Sequence, residues 1–294
     1  MPTNTVISLR ERLARLTPAR RAGANQPLPV RTGVTAVDQT LGGGLQRGTV
    51  HDIAPADPGS QGAATGFTLA LASCALASST LAPSPEHAPG HMLYIQQTFA
   101  GHEAGELYAP GLARLGLQPR CITLFRARRT QDVLWAMEEA LKCSGLAAVV
   151  AELAPNGTGI DLTASRRLVL AAEAGGGIGL LLHQRASMQA SAAATRWAIT
   201  AAPSTDTPST GAPNIGSTYG GLGAPAFIAS LTKNRSGVTG TWRMTWSAHE
   251  QTFHNQSVGQ SIGTADRDRT PVPVDRAAAS GDRPDRAPLR FGAG

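Results

Sequence analysis

Residues 31–76 read RTGVTAVDQTLGGGLQRGTVHDIAPADPGSQGAATGFTLALASCAL. The glycines at 42, 43, 44 and 48 allow tight turns directly before the apolar run GTVHDIA, which reads as a strand. A Gly/Pro-rich segment follows, and FTLALASCALASS then has the composition of a helix starting near Gly66. Strand, glycine loop and helix in this order make a frame in which backbone amides and a helix N-terminus hold phosphate. Such a loop normally carries GxxxxGK[ST], whose lysine neutralises the phosphate charge. Here the only lysines of the chain are Lys142 and Lys233, and Asp57 adds a negative charge to the loop. Losing a charge partner to phosphate costs about 2–5 kcal/mol, so efficient ATP use is not expected.

Working outward, short apolar runs alternate with helical segments. HMLYIQQ, CITLFRA, LAAVVAEL and IGLLLHQ read as strands, and GELYAPGLARLGL, TQDVLWAMEEALKCSG and DLTASRRLVLAAEAGG as helices. Continuous apolar strands separated by helices predict a mostly parallel sheet covered on both faces, an α/β fold. Beyond Arg185, TRWAITAAP, APAFIASLTKNRSG and GTWRMTWSA read as C-terminal antiparallel strands, the last two joined as a hairpin. The domain is expected over residues 30–254, with a Ser/Thr/Pro/Gly-rich mobile loop at about 203–224 and a disordered tail at 255–294. Residues 1–29 read as an amphipathic helix and a linker. Leu9, Leu13 and Leu16 fall at helical spacing, either packed on the domain itself or docking a partner.

A net charge of +6 and a pI near 9.9 suit an acidic partner such as DNA, although the arginine excess reads first as a coding bias. Aromatics at 4% leave few platforms for stacking single-stranded bases. Cys74, Cys121 and Cys143 lie far apart in apolar surroundings, as buried free thiols do. With no signal-peptide core and no apolar run long enough to span a membrane, the expected location is the cytoplasm.

The segment Thr32–Gly48 resembles the one preceding the phosphate loop of the RecA-like ATPase superfamily, with Val37 in place of the usual leucine. This implies a RecA-like core of P-loop type in which Gly59, Gly62 and Gly66 remain from a degenerate nucleotide-binding loop. Glu152, closing LAAVVAEL, stands where an aspartate would hold magnesium, and reads as a relic or a structural contact. Gln184, after IGLLLH, stands where a polar residue senses the terminal phosphate, or is merely a polar strand end. The strand that would end in a catalytic glutamate offers Gln96, Gln97 and Thr98, and Glu103 comes too late. A glutamine can orient water but cannot take its proton as a carboxylate would. No catalytic residue or metal site is therefore assigned, and no cofactor is expected, with room left for weak ATP/Mg binding. His183 has no His or Cys at ligand spacing. Lys233, Asn234 and Arg235 resemble an element that, in RecA filaments, reaches the neighbour's nucleotide, which implies an interface or phosphate-facing role; the alternative is a solvated strand end. Arg166 and Arg167 read as partners of acids before contacts to DNA.

ELYAPGLARLGL, DVLWAMEEALKC, LAAVVAEL, LTASRRLVLAAEAGG and TRWAITAAPS, in this order, resemble the ImuA family, RecA-like and SulA-related proteins of damage-inducible mutagenesis cassettes. The resemblance implies a part in the SOS response, with an ImuB-like protein and an error-prone DNA polymerase as partners in translesion synthesis. The leading expectation is a non-catalytic accessory protein bridging these two at damaged DNA. An alternative is a divergent DNA-dependent ATPase or recombinase, and a weaker one is a SulA-like inhibitor of cell division. DNA itself, RecA and a second copy of the chain stand as further candidate partners.

Overall fold

The structure, a computed structural model, describes residues 9, 11–13, 28–80, 90–154, 160–186, 189–204 and 223–255, all within one unit, Met1–Ser257. Leu16, the linker up to residue 27, residues 205–222 of the expected mobile loop and residues 256–294 of the expected tail lie outside the described residues.

Among the described residues nine strands form one sheet: β1 (Thr49–Pro55), β2 (His91–Gln97), β3 (Ile122–Ala127), β4 (Leu146–Leu153), β5 (Ile178–His183), β6 (Thr195–Ala202), β7 (Ala226–Asn234), β8 (Gly240–Ser247) and β9 (Thr252–Asn255). Their order is β3-β2-β4-β5-β1-β6-β7-β8-β9. The strands from β3 to β6 in this order are parallel, and β7, β8 and β9 continue the sheet antiparallel. Among the described residues from 28 onward the α-helices are α1 (Thr35–Thr40), α2 (Gln61–Thr80), α3 (Thr98–Ala104), α4 (Ala109–Arg114), α5 (Thr130–Leu141) and α6 (Leu162–Gly175).

All seven residues of β1 and all eight of β4 are buried, as strands covered on both faces must be. One core packs Phe67 and Leu71 of α2 against Tyr94, Val150, Leu180 and Trp197. The other packs Val133 and Met137 of α5 and Leu168 of α6 against Leu93, Val149 and Leu181. Leu9 and Leu13 are buried in this second core, and the Cys143 thiol donates to the Leu13 carbonyl at 3.5 Å. Leu9 and Leu13 thus pack on their own domain. The stretch Pro58–Ser79 is long and apolar enough to cross a membrane, but it is the turn into α2 and α2 itself, mostly buried as a core helix. Cys74, Cys121 and Cys143 are buried free thiols, as expected.

The segment before β1 earns its spacing by hydrogen bonding. Thr32 donates to Asp38 Oδ1 from both its amide and its hydroxyl, each at 2.8 Å, and the Gly33 amide donates to Asp38 Oδ2 at 3.2 Å. This turn leads into α1, a short helix not expected from the sequence. The Thr32 carbonyl accepts from the Phe253 amide at 2.8 Å and the Thr252 hydroxyl at 3.0 Å, which pins β9, also unexpected. Gly33 has φ 94°, and a Cβ there would come within 2.7 Å of the Phe253 carbonyl oxygen. Arg47 donates to the carbonyls of Leu28 at 3.2 Å and Ala75 at 3.1 Å and to the Ser78 hydroxyl at 2.6 Å, tying the last turn of α2 to this segment. GELYAPGLARLGL is helical only over α4, and α3 forms upstream of it.

His51 of β1 is fully enclosed on the α2 side. Its Nε2 lies 3.0 Å from the Gln46 carbonyl, which can only accept, so Nε2 carries the proton and Nδ1 accepts from the Thr195 hydroxyl at 2.8 Å. Burial pushes the imidazole pKa down to about 4, against smaller opposing effects of the Gln46 carbonyl and Asp52. The unfolded chain takes up this proton near pH 6.5 and the folded protein only near 4, so this ring leaves stability untouched above 6.5 and lowers it between the two. Urea unfolding at pH 7 and pH 4 is expected to show roughly 3 kcal/mol more loss in the native chain than in His51→Gln. Equal pH dependence in both proteins would contradict this assignment.

Candidate functional site

In an open parallel sheet, ligands bind outside the carboxyl ends of strands where neighbouring connections depart in opposite directions. In this strand order β2 leads outward to β3 while β4 leads back to β5, which puts the switch point between β2 and β4. Gln96 and Glu152 stand opposite each other across it. Glu152 is 2% exposed. Its Oε2 accepts from the Tyr94 hydroxyl at 2.8 Å and Gln96 Nε2 at 3.0 Å, and its Oε1 accepts from Gln184 Nε2. Two strands, β2 and β5 with the residue that follows it, therefore aim three neutral donors at one buried carboxylate on β4. Burial raises the Glu152 pKa, and the three hydrogen bonds oppose it without cancelling it. Burial and then the Glu152 charge push Tyr94 well above its ordinary range, so its hydroxyl remains a donor.

Gln97 is occupied as well: its Oε1 accepts from the Ala154 amide at 3.0 Å and its Nε2 donates to the Arg128 carbonyl at 3.4 Å. Gln61, the first residue of α2, donates to the Gln184 carbonyl at 3.3 Å and joins the turn after β1 to the end of β5. Of the predicted site residues, Glu152 and Gln184 are thus in direct contact. Tyr94 was missed, although its spacing of two from Gln96 puts both on one face of β2.

The presumed phosphate loop differs from its sequence reading. Only Ala56 and Asp57 separate β1 from a 3-10 turn at Pro58–Ser60, and α2 begins at Gln61, five residues before the expected start. Asp57 caps this turn, its Oδ1 accepting from the Gly59 amide at 2.9 Å and its Oδ2 from the Ser60 hydroxyl at 2.7 Å. With the turn capped, Gln61–Thr65, which includes two alanines, continues as helix. Gly59 lies in the turn, whereas Gly62 and Gly66 lie inside α2, where an added Cβ on Gly66 would meet the Phe227 ring at 3.6 Å. The carboxylate sits where the frame would offer amides to phosphate.

These residues do not fit a magnesium nucleotide. An anion rather than a cation caps the turn, β2 carries no carboxylate, and the one on β4 faces neutral donors. Among the described residues no group of three or more His, Cys, Asp and Glu side chains could hold a metal ion.

Lys233, Asn234 and Arg235, at the end of β7, have no contact with Glu152 among the described hydrogen bonds. The Lys233 ammonium donates to the carbonyls of Ser191 at 2.6 Å and Ala193 at 2.9 Å, and Asn234 Nδ2 to those of Thr40 at 3.1 Å and Val238 at 2.8 Å. Arg235 is exposed. Beside them sits a charge cluster that sequence reasoning overlooked. Asp52 is 1% exposed, with Arg196 Nη2 3.2 Å from its Oδ2 and His183 Nε2 3.7 Å from its Oδ1. Burial pushes the Asp52 pKa up, but His183, Ser191 and Arg196 together outweigh it and hold the group below its ordinary value. The signal was available, since an aspartate within a strand buried on both faces requires a partner. Arg167 pairs with Glu138 on α5, the simpler of its two readings.

The fold and these side-chain contacts together define an α/β protein with a mostly parallel sheet, in which the turn after the first strand is capped by its own carboxylate. No family model matches the chain. It is 32% identical over 234 residues to Protein ImuA of Caulobacter vibrioides, in strain NA1000/CB15N and equally in strain ATCC 19089/CIP 103742/CB 15. The match covers 75% of this chain and 85% of that protein, and the chain belongs to the ImuA family.

Glu152→Gln replaces an acceptor with an amide whose NH₂ confronts other donors, and is expected to cost about 1–3 kcal/mol in denaturant unfolding. Asp57→Ala removes the cap and is expected to cost about 1 kcal/mol, read as a lower melting temperature. Unaltered stability in Glu152→Gln would show that the carboxylate is not the hub described.

Proposed function

We propose that this protein is a non-catalytic RecA-like accessory factor of an ImuA/ImuB mutagenesis cassette, joining an ImuB-like protein to an error-prone DNA polymerase at damaged DNA. Family membership supports the cassette. The site supports the absence of catalysis, and one observation carries most of that weight: the turn after β1 is capped by the Asp57 carboxylate where an ATPase needs a cation. The strand order and the Thr32–Gly48 segment support a RecA-like ancestry. In this reading Gly59, Gly62, Gly66, Glu152 and Gln184 are architectural, and the surfaces of the domain bind partners.

Two measurements on the full chain test the proposal. Co-purification with the ImuB-like protein and the polymerase of the same cassette is expected to yield a three-component assembly that forms without ATP. Equilibrium binding and hydrolysis of ATP with magnesium, with and without single-stranded DNA, are expected to show neither low-micromolar affinity nor turnover. Turnover stimulated by DNA would establish the divergent ATPase instead, and failure to bind either protein would remove the adaptor role.

A further inference from the structure

β3 is one edge of the sheet, and among the described residues it pairs with β2 alone. Its outer row of N–H and C=O groups can therefore accept an added strand. The other edge, β9, has only four residues. β3 differs from β9 in its charge and in its exposed apolar side chains.

Arg120 precedes the strand, Arg126 lies in it, and Arg128 and Arg129 follow it, all exposed. Arg126 pairs with Glu106 at 2.7 Å, with the two side chains 49% and 61% exposed, an ion pair that solvent weakens and a competing carboxylate can replace. Leu124 is 39% exposed and shares a strand face with Arg126. Tyr108, two residues beyond Glu106, is 71% exposed. The Thr98 hydroxyl donates to the Ala127 carbonyl at 3.1 Å, which sets Phe99, 44% exposed, beside the end of the strand. Arginines alone would guard an edge against aggregation, but a guard does not call for exposed Leu124 and Tyr108.

We propose that β3 is a docking edge for an extended acidic segment of a partner protein, which adds to the sheet as a further strand. Its backbone pairs with the free row of β3, an apolar side chain covers Leu124, and carboxylates meet Arg126 and Arg128. A second copy of the same edge is disfavoured, because antiparallel pairing would set arginines against arginines. Nucleic acid would engage the arginines and leave the backbone row and Leu124 unused. The inference does not depend on the cassette role.

The test uses the full chain and fluorescein-labelled short peptides that alternate valine with glutamate, serine or lysine, together with labelled oligothymidine, read by anisotropy. The glutamate peptide is expected to bind at least roughly tenfold tighter than the serine peptide and to weaken with salt. Arg126→Ala combined with Arg128→Ala, and separately Leu124→Asp, are expected to weaken it by a similar factor, with circular dichroism unchanged and Arg167→Ala on α6 without effect. Hydrogen exchange should show β3 amides protected by the glutamate peptide. Equal binding of the glutamate and serine peptides, tighter binding of oligothymidine, or unprotected β3 amides would each overturn the proposal.

Discussion

Burial of β1 on both faces is the constraint from which most of the molecule follows. A seven-residue strand with every side chain buried needs hydrogen-bonded neighbours on both edges and a helix layer on each side. β5 and β6 supply the edges, α2 covers one face, and α5 and α6 cover the other. The strand also carries two ionisable residues in adjacent positions, one per face. His51 is accommodated neutral between Thr195 and Gln46, and Asp52 is accommodated charged beside Arg196. Neither could be buried without those partners, because the desolvation cost would exceed what packing returns.

The same rule governs the carboxyl ends of the parallel strands. Two carboxylates stand in a frame of the kind that binds phosphate, and both are satisfied from within the chain, Asp57 by an amide and a hydroxyl, Glu152 by a phenol and two amides. The hydrogen bonds of Glu152, with that from Gln61 to the Gln184 carbonyl, link the ends of β2, β4 and β5 to the turn after β1. The Thr32–Asp38 turn and the Arg47 clamp are internal hydrogen bonds of the same kind. These residues position the first strand and helix of the domain and secure its last strand, whether or not a nucleotide is ever bound.

Much of this was legible in local pattern. The runs HMLYIQQ and LAAVVAEL became β2 and β4 with the expected bounds, because length, β-branching and continuous apolarity all agree there. The start of α2 was misplaced because glycine content was read as loop, whereas an aspartate cap makes a helical first turn of the same residues. Glu152 and Gln184 were singled out by their positions at strand ends, while Tyr94 and the pairing of Asp52 with Arg196 were not found, because neither pair is close in sequence.

By itself the sequence determined the α/β class, the alternation that makes the sheet mostly parallel, the absence of a lysine from the turn after β1 and the family resemblance, since all of these rest on residue identity and short-range periodicity. The tertiary structure alone decided which strands neighbour one another, and hence that Gln96, Gln184 and Tyr94 converge on one carboxylate, that β9 is pinned to Thr32, and that β3 is an edge among the described strands. The physical reason is that register and strand order are set by the burial of whole faces and by hydrogen bonds between residues tens to hundreds of positions apart, and no local pattern encodes those distances.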